Sequence, residues 1–562
     1  MVQSSRVQLD KRTFRWIIHM NNDAPASDQA KKLGQSSNHK TGPGHELLAS
    51  FRSNEIFVAI VGPAGAGAGT AAKIIETFFR DKGFEPHIIK ASKVIRDAAS
   101  KAGLELPNES DRKNIASIKI MQDRGDDLRQ GEKFGRSEDH SAVARLVLNE
   151  ISRSRAKALG INYIQGDAIN PDGKPRAYII DSLRHPAEVH LLRKVYQESF
   201  FLLGVVCDPK TRELRIRKNL FDRSEWGKDD VKEQVKVFLE RDENAPEKFG
   251  QHVSDTFHES DFFVDNSKDA DEDLSVTGMN DQLRRFVDLT MQSTIIRPTV
   301  SETAMHQARS AQMRSACLSR QVGAALMDKA GNIVATGTND VPRAGGGLYG
   351  ESFSFDPKND FRCAFRDSVF CSSNKEQNKI IEELIDAFPQ LTQSEDRIEV
   401  LKKIRATRLG GLIEFSRAVH AEMDAILSAS ISGVSTRGCR MFVTTYPCHY
   451  CARHIVAAGI DEVQFIEPYP KSLASDLHED AITTESGDWL PPSTEKNSKV
   501  LFKPFVGVSP RLYRRVFYKD RDYKDKISGD YKVEAPKWGG PMDSFVVSYV
   551  ELEAELSKDM LQ

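Results

Sequence analysis

Two short stretches of this 562-residue chain contain the residue types of a catalytic zinc site. The first reads H-A-E and begins at His420, and the second reads P-C-H-Y-C and begins at Pro447. A zinc ion that activates water takes three protein ligands and keeps one open position. His420, Cys448 and Cys451 can supply the three ligands. Glu422, two residues after the histidine, can then move protons beside the metal as general acid and base.

The elements around the cysteines indicate how they would be positioned. Cys448 and Cys451 are three residues apart, so they share one face of a helix, and Pro447 suits the first turn of that helix. The strand-like run Cys439–Thr445 precedes it. Both the helix dipole and Zn²⁺ favour the thiolate form of the ligands. A C-x-x-C pair alone is also typical of structural zinc or redox sites.

A helical pattern surrounds the H-A-E stretch. It begins near Glu414 and continues through Met423, Ile426 and Leu427, which we expect to form a core face. H-x-E followed by P-C-x-x-C resembles the signature of zinc-dependent nucleobase deaminases.

A glycine-rich loop lies much earlier in the chain. The apolar run Ile56–Val61 predicts a buried strand, and a helix is expected to follow the loop as far as Phe79. Strand, loop and helix resemble the P-loop of nucleoside and nucleotide kinases, whose backbone N–H groups face an anion. The candidate nucleotide-binding residues are Gly62, Gly65, Gly67, Gly69 and Thr70.

The loop departs from the kinase pattern where phosphoryl transfer depends on it. G-x-x-x-x-G-K-[ST] expects lysine where Ala68 stands and a hydroxyl residue where Gly69 stands. Without these groups, phosphoryl transfer loses much of its electrostatic stabilisation. Two interpretations remain open, a nucleotide-binding domain and a scaffold retained for packing and assembly.

Further kinase-like features follow the loop. Ala177–Asp181, Phe200–Cys207 and Asp261–Asn266 predict strands of a mostly parallel sheet with helices on both faces. A basic run resembles the remnant of a kinase lid, and it contains Arg212, Arg215 and Arg217. The acidic stretch Asp269–Asn280 is expected to connect two domains, and a helix is expected from Gln282 to Met291.

Three ordered tracts before the H-A-E stretch resemble the deoxycytidylate deaminase family. They are R-S-x-C beginning at Arg314, V-G-A beginning at Val322 in a predicted hairpin, and T-G-x-N-x-x-P beginning at Thr336. The resemblance implies that Asn339 hydrogen-bonds a bound nucleotide. Alternatively, Asn339 shapes the loop, because asparagine tolerates turn geometry.

A free nucleotide also needs cations for its phosphates. Arg314, Arg320 and Lys471 are the candidates, and Tyr469 is a candidate contact for the base or sugar. The alternative for each of these residues is a position on the solvated surface, where such side chains are more often found.

The segment Gly345–Gly411 is an insertion between the hairpin and the zinc helix, with a helix expected over Gln377–Phe388. It contains Cys363, Asp367 and Cys371. The two cysteines could help bind a second, structural zinc, although they lack familiar zinc spacing and free thiols are the alternative.

The whole architecture resembles the anti-phage dCTP deaminases of bacteria. The tract from Thr444 to Ile460, the tract I-E-P-Y-P-K-S and the later P-F-V-G-V-S-P carry the match. The resemblance implies an α/β protein: a P-loop NTPase-like parallel sheet followed by a three-layer α/β/α deaminase domain. It also implies Zn²⁺ as cofactor, a homo-oligomer, and conversion of dCTP to dUTP in defence against phage. The alternatives are a dCMP deaminase of pyrimidine metabolism, or a deaminase of RNA or single-stranded DNA.

The amino-acid composition argues against several classes of protein. The formal net charge of −2 does not favour a nucleic-acid partner. Seven cysteines in so long a chain do not indicate a disulfide scaffold. A polar N-terminus and the lack of a long apolar run predict a cytoplasmic protein without a membrane segment.

We expect the chain to divide into four segments. They are a flexible N-terminal segment (1–50, with a strand or short helix near Thr13–Met20), a degenerate P-loop domain (51–280), the deaminase-like domain (281–520) and a C-terminal extension (521–562) with a strand-like run at Phe545–Val550.

Overall fold

The computed structural model describes residues 53–243, 245, 247–267, 273–292, 294–350, 360–366, 368–393, 396–469, 471–519, 523–531 and 546–557. The chain divides into two compact units. The large unit covers Arg52–Lys519 and Glu534–Gln562. The small unit, Met1–Phe51 with Asp520–Val533, is described only at residues 523–531, where Lys524 and Tyr531 form an antiparallel bridge. The predictions for residues 1–50 therefore lie outside the described residues.

The strands are β1 (Glu55–Val61), β2 (Glu85–Lys90), β3 (Arg176–Asp181), β4 (Phe200–Val206), β5 (Phe262–Asp265), β6 (Gly323–Met327), β7 (Ile333–Thr338), β8 (Arg440–Thr445), β9 (Glu462–Glu467), β10 (Ile482–Thr483), β11 (Val500–Pro504) and β12 (Gly507–Val508).

The α-helices are α1 (Ala68–Asp81), α2 (Ala91–Lys101), α3 (Ile115–Gln130), α4 (Ala142–Leu159), α5 (Pro186–Tyr196), α6 (Pro209–Leu220), α7 (Asp229–Glu243), α8 (Val253–Phe257), α9 (Asp273–Met291), α10 (Val300–Gln312), α11 (Ser372–Ala387), α12 (Arg397–Arg405), α13 (Ala421–Ile431), α14 (His449–Ala457), α15 (Ala474–Leu477), α16 (Pro510–Phe517) and α17 (Val546–Ser557). None of them, over the ranges given above, has the length and apolar character needed to cross a bilayer.

β1 lies at the centre of the first sheet. All of its residues are buried, because the sheet carries helices on both faces. Five parallel strands follow the order β5-β4-β1-β3-β2, and β12 pairs antiparallel with β5 at the edge. Helices α1, α9 and α16 cover one face, and α2, α4, α5 and α17 cover the other. The mostly parallel sheet predicted from the glycine-rich half is confirmed.

The second sheet has the order β10-β11-β9-β8-β6-β7. The predicted hairpin β6–β7 is antiparallel, β8 pairs antiparallel with β6, and the other pairs are parallel. Helices α13, α14 and α15 pack on one face, and α10 packs on the other. This arrangement confirms the expected three-layer α/β/α fold.

The two sheets share packing and buried polar contacts. Phe263 of β5 and Phe505 lie in one apolar cluster with α10, their ring centroids 6.2 Å apart. The buried carboxylate of Glu302 in α10 accepts hydrogen bonds from Arg285 Nη1 (2.6 Å) and from the Val508 backbone N–H (2.8 Å). Helix α9 begins at Asp273, inside the acidic stretch interpreted as a connector. Both α9 and α16 pack on the first sheet, and the four domain ranges stay predictions.

The prediction of a strand at Phe545–Val550 is wrong, because helix α17 begins at Val546. Its buried residues recur with helical spacing, which only a longer window reveals: Tyr549, Val550, Glu553, Ala554 and Ser557.

A buried ion network fixes α17 on the first sheet. The Arg155 guanidinium, 0% exposed, donates to Glu55 Oε2 (2.7 Å) and to Glu553 Oε2 (2.6 Å). The Tyr196 hydroxyl also donates to Glu553. The C-terminal helix therefore completes the charge balance of the first sheet's core.

Candidate active site

Two helix N-termini meet on one face of the second sheet and bring the predicted zinc ligands together. His420 is the N-cap of α13, Cys448 is the N-cap of α14, and Cys451 lies in the first turn of α14. Two details of the sequence prediction are wrong. The helix around H-A-E begins at Ala421 rather than near Glu414, and Pro447 precedes the cap rather than occupying the first turn.

The donor atoms have the spacing of a tetrahedral metal site. His420 Nδ1 lies 3.3 Å from Cys448 Sγ and 3.4 Å from Cys451 Sγ. All three donor atoms fall within 4.8 Å of one another. With Zn–S near 2.3 Å and Zn–N near 2.0 Å, a tetrahedral site places sulfur and nitrogen about 3.5 Å apart. The chemistry and the spacing of these residues therefore fit zinc.

Hydrogen bonds among the three side chains contribute to a pKa shift in each of them. The hydrogen bond from Cys451, together with that from His420, outweighs burial and lowers the pKa of Cys448 to about 4. Burial lowers the pKa of His420, but the hydrogen bond and charge of Cys448 outweigh it and raise that pKa to about 9. The hydrogen bond with Cys448, together with burial, raises the pKa of Cys451. Metal binding would displace these protons, because zinc takes thiolates and neutral imidazole.

Glu422 lies beside this cluster and is buried. Burial, and then the negative charge of Cys448, raise the pKa of Glu422 to about 7. Its carboxyl also shares a hydrogen bond with the Cys451 thiol. A carboxyl with a pKa near neutrality can both accept and release a proton at working pH.

The end of β7 packs closely on α13, a contact that sequence reasoning missed. A Cβ built on Gly337 would lie only 2.1 Å from the Ala421 carbonyl oxygen and 2.4 Å from the Ala425 nitrogen. The Thr338 backbone N–H donates to Asp424 Oδ2 (3.0 Å) within α13. The glycine of T-G-x-N was the available signal, because a conformationally ordinary strand glycine often marks close backbone approach.

Asp340, two residues after β7, links two other segments of the chain. Its carbonyl accepts the Val419 N–H at 2.9 Å, next to the candidate zinc ligand His420. Its side chain accepts the Ala316 N–H at 2.9 Å. The R-S-x-C and T-G-x-N tracts are therefore one structural unit with the start of α13.

A cavity of about 400 Å³ opens over His420, Glu422 and Cys448, within the size range of small-molecule sites. Four of the five predicted substrate contacts line it: Asn339, Arg320, Tyr469 and Lys471. Arg314 is exposed and is not among the residues lining the cavity.

The lining residues differ in how free they are to contact a ligand. Asn339 Oδ1 accepts the Val322 N–H and its Nδ2 donates to the Arg320 carbonyl, each at 2.6 Å. Asn339 thus shapes the loop, and its predicted contact with a nucleotide stays a prediction. Arg320 lies 3.6 Å from a Glu467 carboxylate oxygen and 5.7 Å from the ring centroid of Tyr469.

The insertion forms a wall of this cavity, which the sequence did not predict. Cys363, Cys371 and Gln377 of the insertion contribute to the wall, next to Arg417, which follows the insertion. The predicted helix is present as α11. Both cysteines are free thiols. Among the residues that the structure describes, the group His420, Cys448 and Cys451 alone has metal-ligand geometry; Asp367 lies outside them.

In the glycine-rich loop, Gly65 and Gly67 have positive φ angles of 82° and 95°. Other segments of the same chain contact this loop. The Ala64 N–H donates to the buried Asp242 Oδ2 at 2.6 Å, and Asp242 also accepts from Arg184. A Cβ on Gly65 would lie 2.8 Å from the Arg212 carbonyl oxygen. Helix α6, which carries the predicted lid arginines, therefore lies directly on the loop.

Other proteins resemble the second half of the chain. Residues 298–467 match the family model described as cytidine and deoxycytidylate deaminase zinc-binding region. The deoxycytidylate deaminase of Enterobacteria phage T4 is 30% identical over 176 residues, 31% of this chain and 80% of that protein. ComE operon protein 2 of Bacillus subtilis (strain 168) is 44% identical over 70 residues, 12% of this chain and 37% of that protein.

Among solved structures, the dCMP deaminase of cyanophage S-TIM5 in complex with dCMP and dUMP aligns at 17% identity and a TM-score of 0.21. The alignment covers 38% of this chain and 100% of that one.

Proposed function

We propose, from the premise that this chain belongs to the deoxycytidylate deaminase family, that it hydrolyses the amino group from a free deoxycytidine nucleotide. The observation that supports this best is the placement of the buried Glu422 beside three zinc-type donors at the base of a cavity. We propose dCTP as the substrate and dUTP and ammonia as the products.

His420, Cys448 and Cys451 would hold the metal. Zinc bound there would lower the pKa of a water molecule toward neutrality. Glu422 Oε accepts the proton of that water and delivers it to N3 of the cytosine ring while the oxygen attacks C4. The same carboxylate then carries the second proton of the water oxygen to the departing amine. Water and a cytosine nucleotide thereby become ammonia and a uracil nucleotide.

The remaining substrate contacts are proposals of the same kind. Arg320, Lys471 and Tyr469 line the cavity, so the two cations suit phosphates and the ring suits the base or sugar. Arg314 is the weakest of the predicted contacts because it is not among the lining residues. A second candidate, deamination of dCMP, is favoured by the match to a deoxycytidylate deaminase.

The test is product analysis with dCTP, dCMP, CTP and a cytosine-containing oligonucleotide offered in parallel to the zinc-loaded protein. We expect uracil nucleotide and ammonia from dCTP. Glu422→Ala should reduce turnover by about 10²- to 10⁴-fold while zinc content stays near one ion per site.

Cys451→Ser is the matched variant, because it should lose both zinc and turnover. Product from dCMP alone would replace dCTP by the second candidate. Turnover of the oligonucleotide alone would contradict the free-nucleotide proposal, and loss of zinc from Glu422→Ala would contradict the role given to Glu422.

Three wider proposals accompany this activity. Conversion of dCTP to dUTP would empty a precursor pool that phage replication needs, which suits defence. A nucleotide bound at the P-loop half would regulate the deaminase, with Gly62, Gly65, Gly67, Gly69 and Thr70 as its contacts. The active form would be a homo-oligomer.

A further inference from the structure

The insertion reaches the cavity through two contacts. The N-cap of α11, Cys371, lies 3.5 Å from Ser319 Oγ, one residue from Arg320. Gln377 Nε2 donates to the Leu412 carbonyl at 2.5 Å, which joins α11 to the segment leading toward the zinc ligand His420. These contacts place residues 371–377 and 410–418 on one side of the site.

This side of the cavity carries positive charge without a matching acid. In the described part of the chain, no carboxylate lies within ion-pair distance of Arg417. Its Nη1 donates instead to the Phe361 carbonyl at 3.2 Å, a neutral partner that leaves the charge uncompensated. Lys471 likewise has no acidic partner among the described residues, and its Cδ would lie 3.8 Å from a Cβ on Gly411. An unpaired cation in a cavity wall favours an anionic ligand group.

An unpartnered acceptor lies in the same wall. Gln377 is 3% exposed. Its Nε2 is used by Leu412, and its Oε1 has no hydrogen-bond partner among the residues described. Buried polar groups are normally hydrogen-bonded, so the wall around this closed-off oxygen is incompletely satisfied. The wall thus combines an unsatisfied polar group with cations suited to phosphate.

We propose that Arg417 binds the phosphate chain of the substrate and makes the enzyme prefer nucleotides with more phosphates. The inference rests on the proposed function, because it assigns a specificity-determining residue to the same site. The guanidinium can donate two parallel hydrogen bonds to phosphate oxygens, and each added phosphate increases the charge that it meets. The wall formed by Arg417 and the neighbouring insertion is then the part of the site that selects the substrate.

The test measures binding, so that it does not depend on turnover. Glu422→Gln in the zinc-loaded full chain serves as the background, and calorimetry compares dCTP, dCMP and deoxycytidine. Adding Arg417→Ala should weaken dCTP binding about 10- to 100-fold, as expected for a hydrogen bond to a charged group. dCMP should lose less, and deoxycytidine should be unchanged. Arg417→Lys should retain part of the dCTP affinity.

Arg408→Ala is the matched control, since Arg408 is exposed, lies nine residues before Arg417 and is not among the lining residues. Equal affinities of the Arg417→Ala and Arg408→Ala proteins for dCTP would overturn the proposal. Equal losses for dCTP and deoxycytidine would do the same, since they would indicate general damage to the cavity. Failure of the proposed function is distinct, because it would show as absent turnover in the protein with Glu422 intact.

Discussion

Gly337→Ala should move the catalytic helix without altering any catalytic residue. The added Cβ would lie 2.1 Å from the Ala421 carbonyl oxygen, whereas ordinary contact begins at 3.4 Å. This oxygen and the Ala425 nitrogen, at 2.4 Å, are both backbone atoms of α13, so rotating a side chain cannot relieve the contact. The first turn of α13 must therefore shift by about 1 Å or more, and Ala421 stands between the zinc ligand His420 and Glu422.

A displacement of this size has two measurable costs. Overpacking of this kind costs about 1–3 kcal/mol of unfolding free energy, which urea titration would detect. Misplacement of reacting groups by 1 Å can reduce turnover about 10²-fold, equivalent to about 2.7 kcal/mol of activation free energy. Gly350→Ala is the control, since no atom of the described residues lies within 4 Å of a Cβ at that position. Turnover and stability of Gly337→Ala equal to those of the control would refute the reasoning.

Two further predictions concern the first sheet. Glu553→Ala leaves the buried Arg155 with Glu55 alone, so we expect a loss of about 3–5 kcal/mol of unfolding free energy in urea titration. The exposed Glu551→Ala should be near neutral, and an equal effect of both variants would count against the network. Asp242→Ala removes the α7 carboxylate that accepts the Ala64 N–H of the glycine-rich loop. Because a negative charge beside the loop then disappears, calorimetry should show roughly tenfold tighter binding of nucleoside triphosphates. Absence of any nucleotide binding in both proteins would favour the scaffold interpretation.

The grouping of His420, Cys448 and Cys451 was predictable from sequence, because the chemistry of a zinc site restricts residue type and spacing together. Cys448 and Cys451 must lie within one helical turn, and the acid must follow His420 closely, so a local pattern is sufficient. The central strands were predictable for a similar reason, since β1 is buried on both faces and is continuously apolar from Ile56 to Val61. The exposed Leu427 shows the limit of the same argument, because α13 buries instead the face that carries Ala425 and Ala429.

The walls of the cavity could not be predicted in this way. Gln377 and Arg417 are 40 residues apart and reach one cavity through contacts such as that of Gln377 with the Leu412 carbonyl. No periodicity encodes a contact of this range. The strand prediction at Phe545–Val550 failed for a different reason. A short apolar run such as the one around Tyr549 does not distinguish a strand from a helix.

The chain passes from the second sheet to the first within two residues, since β11 ends at Pro504 and β12 begins at Gly507. The deaminase fold is thus nested inside the P-loop fold. During synthesis, the first sheet cannot gain its edge strand and its covering helices α16 and α17 until the nested half has left the ribosome. A fragment ending near residue 280 would expose the uncovered faces to solvent and to other chains. The two halves are therefore expected to mature as one product of translation, and to be degraded as one.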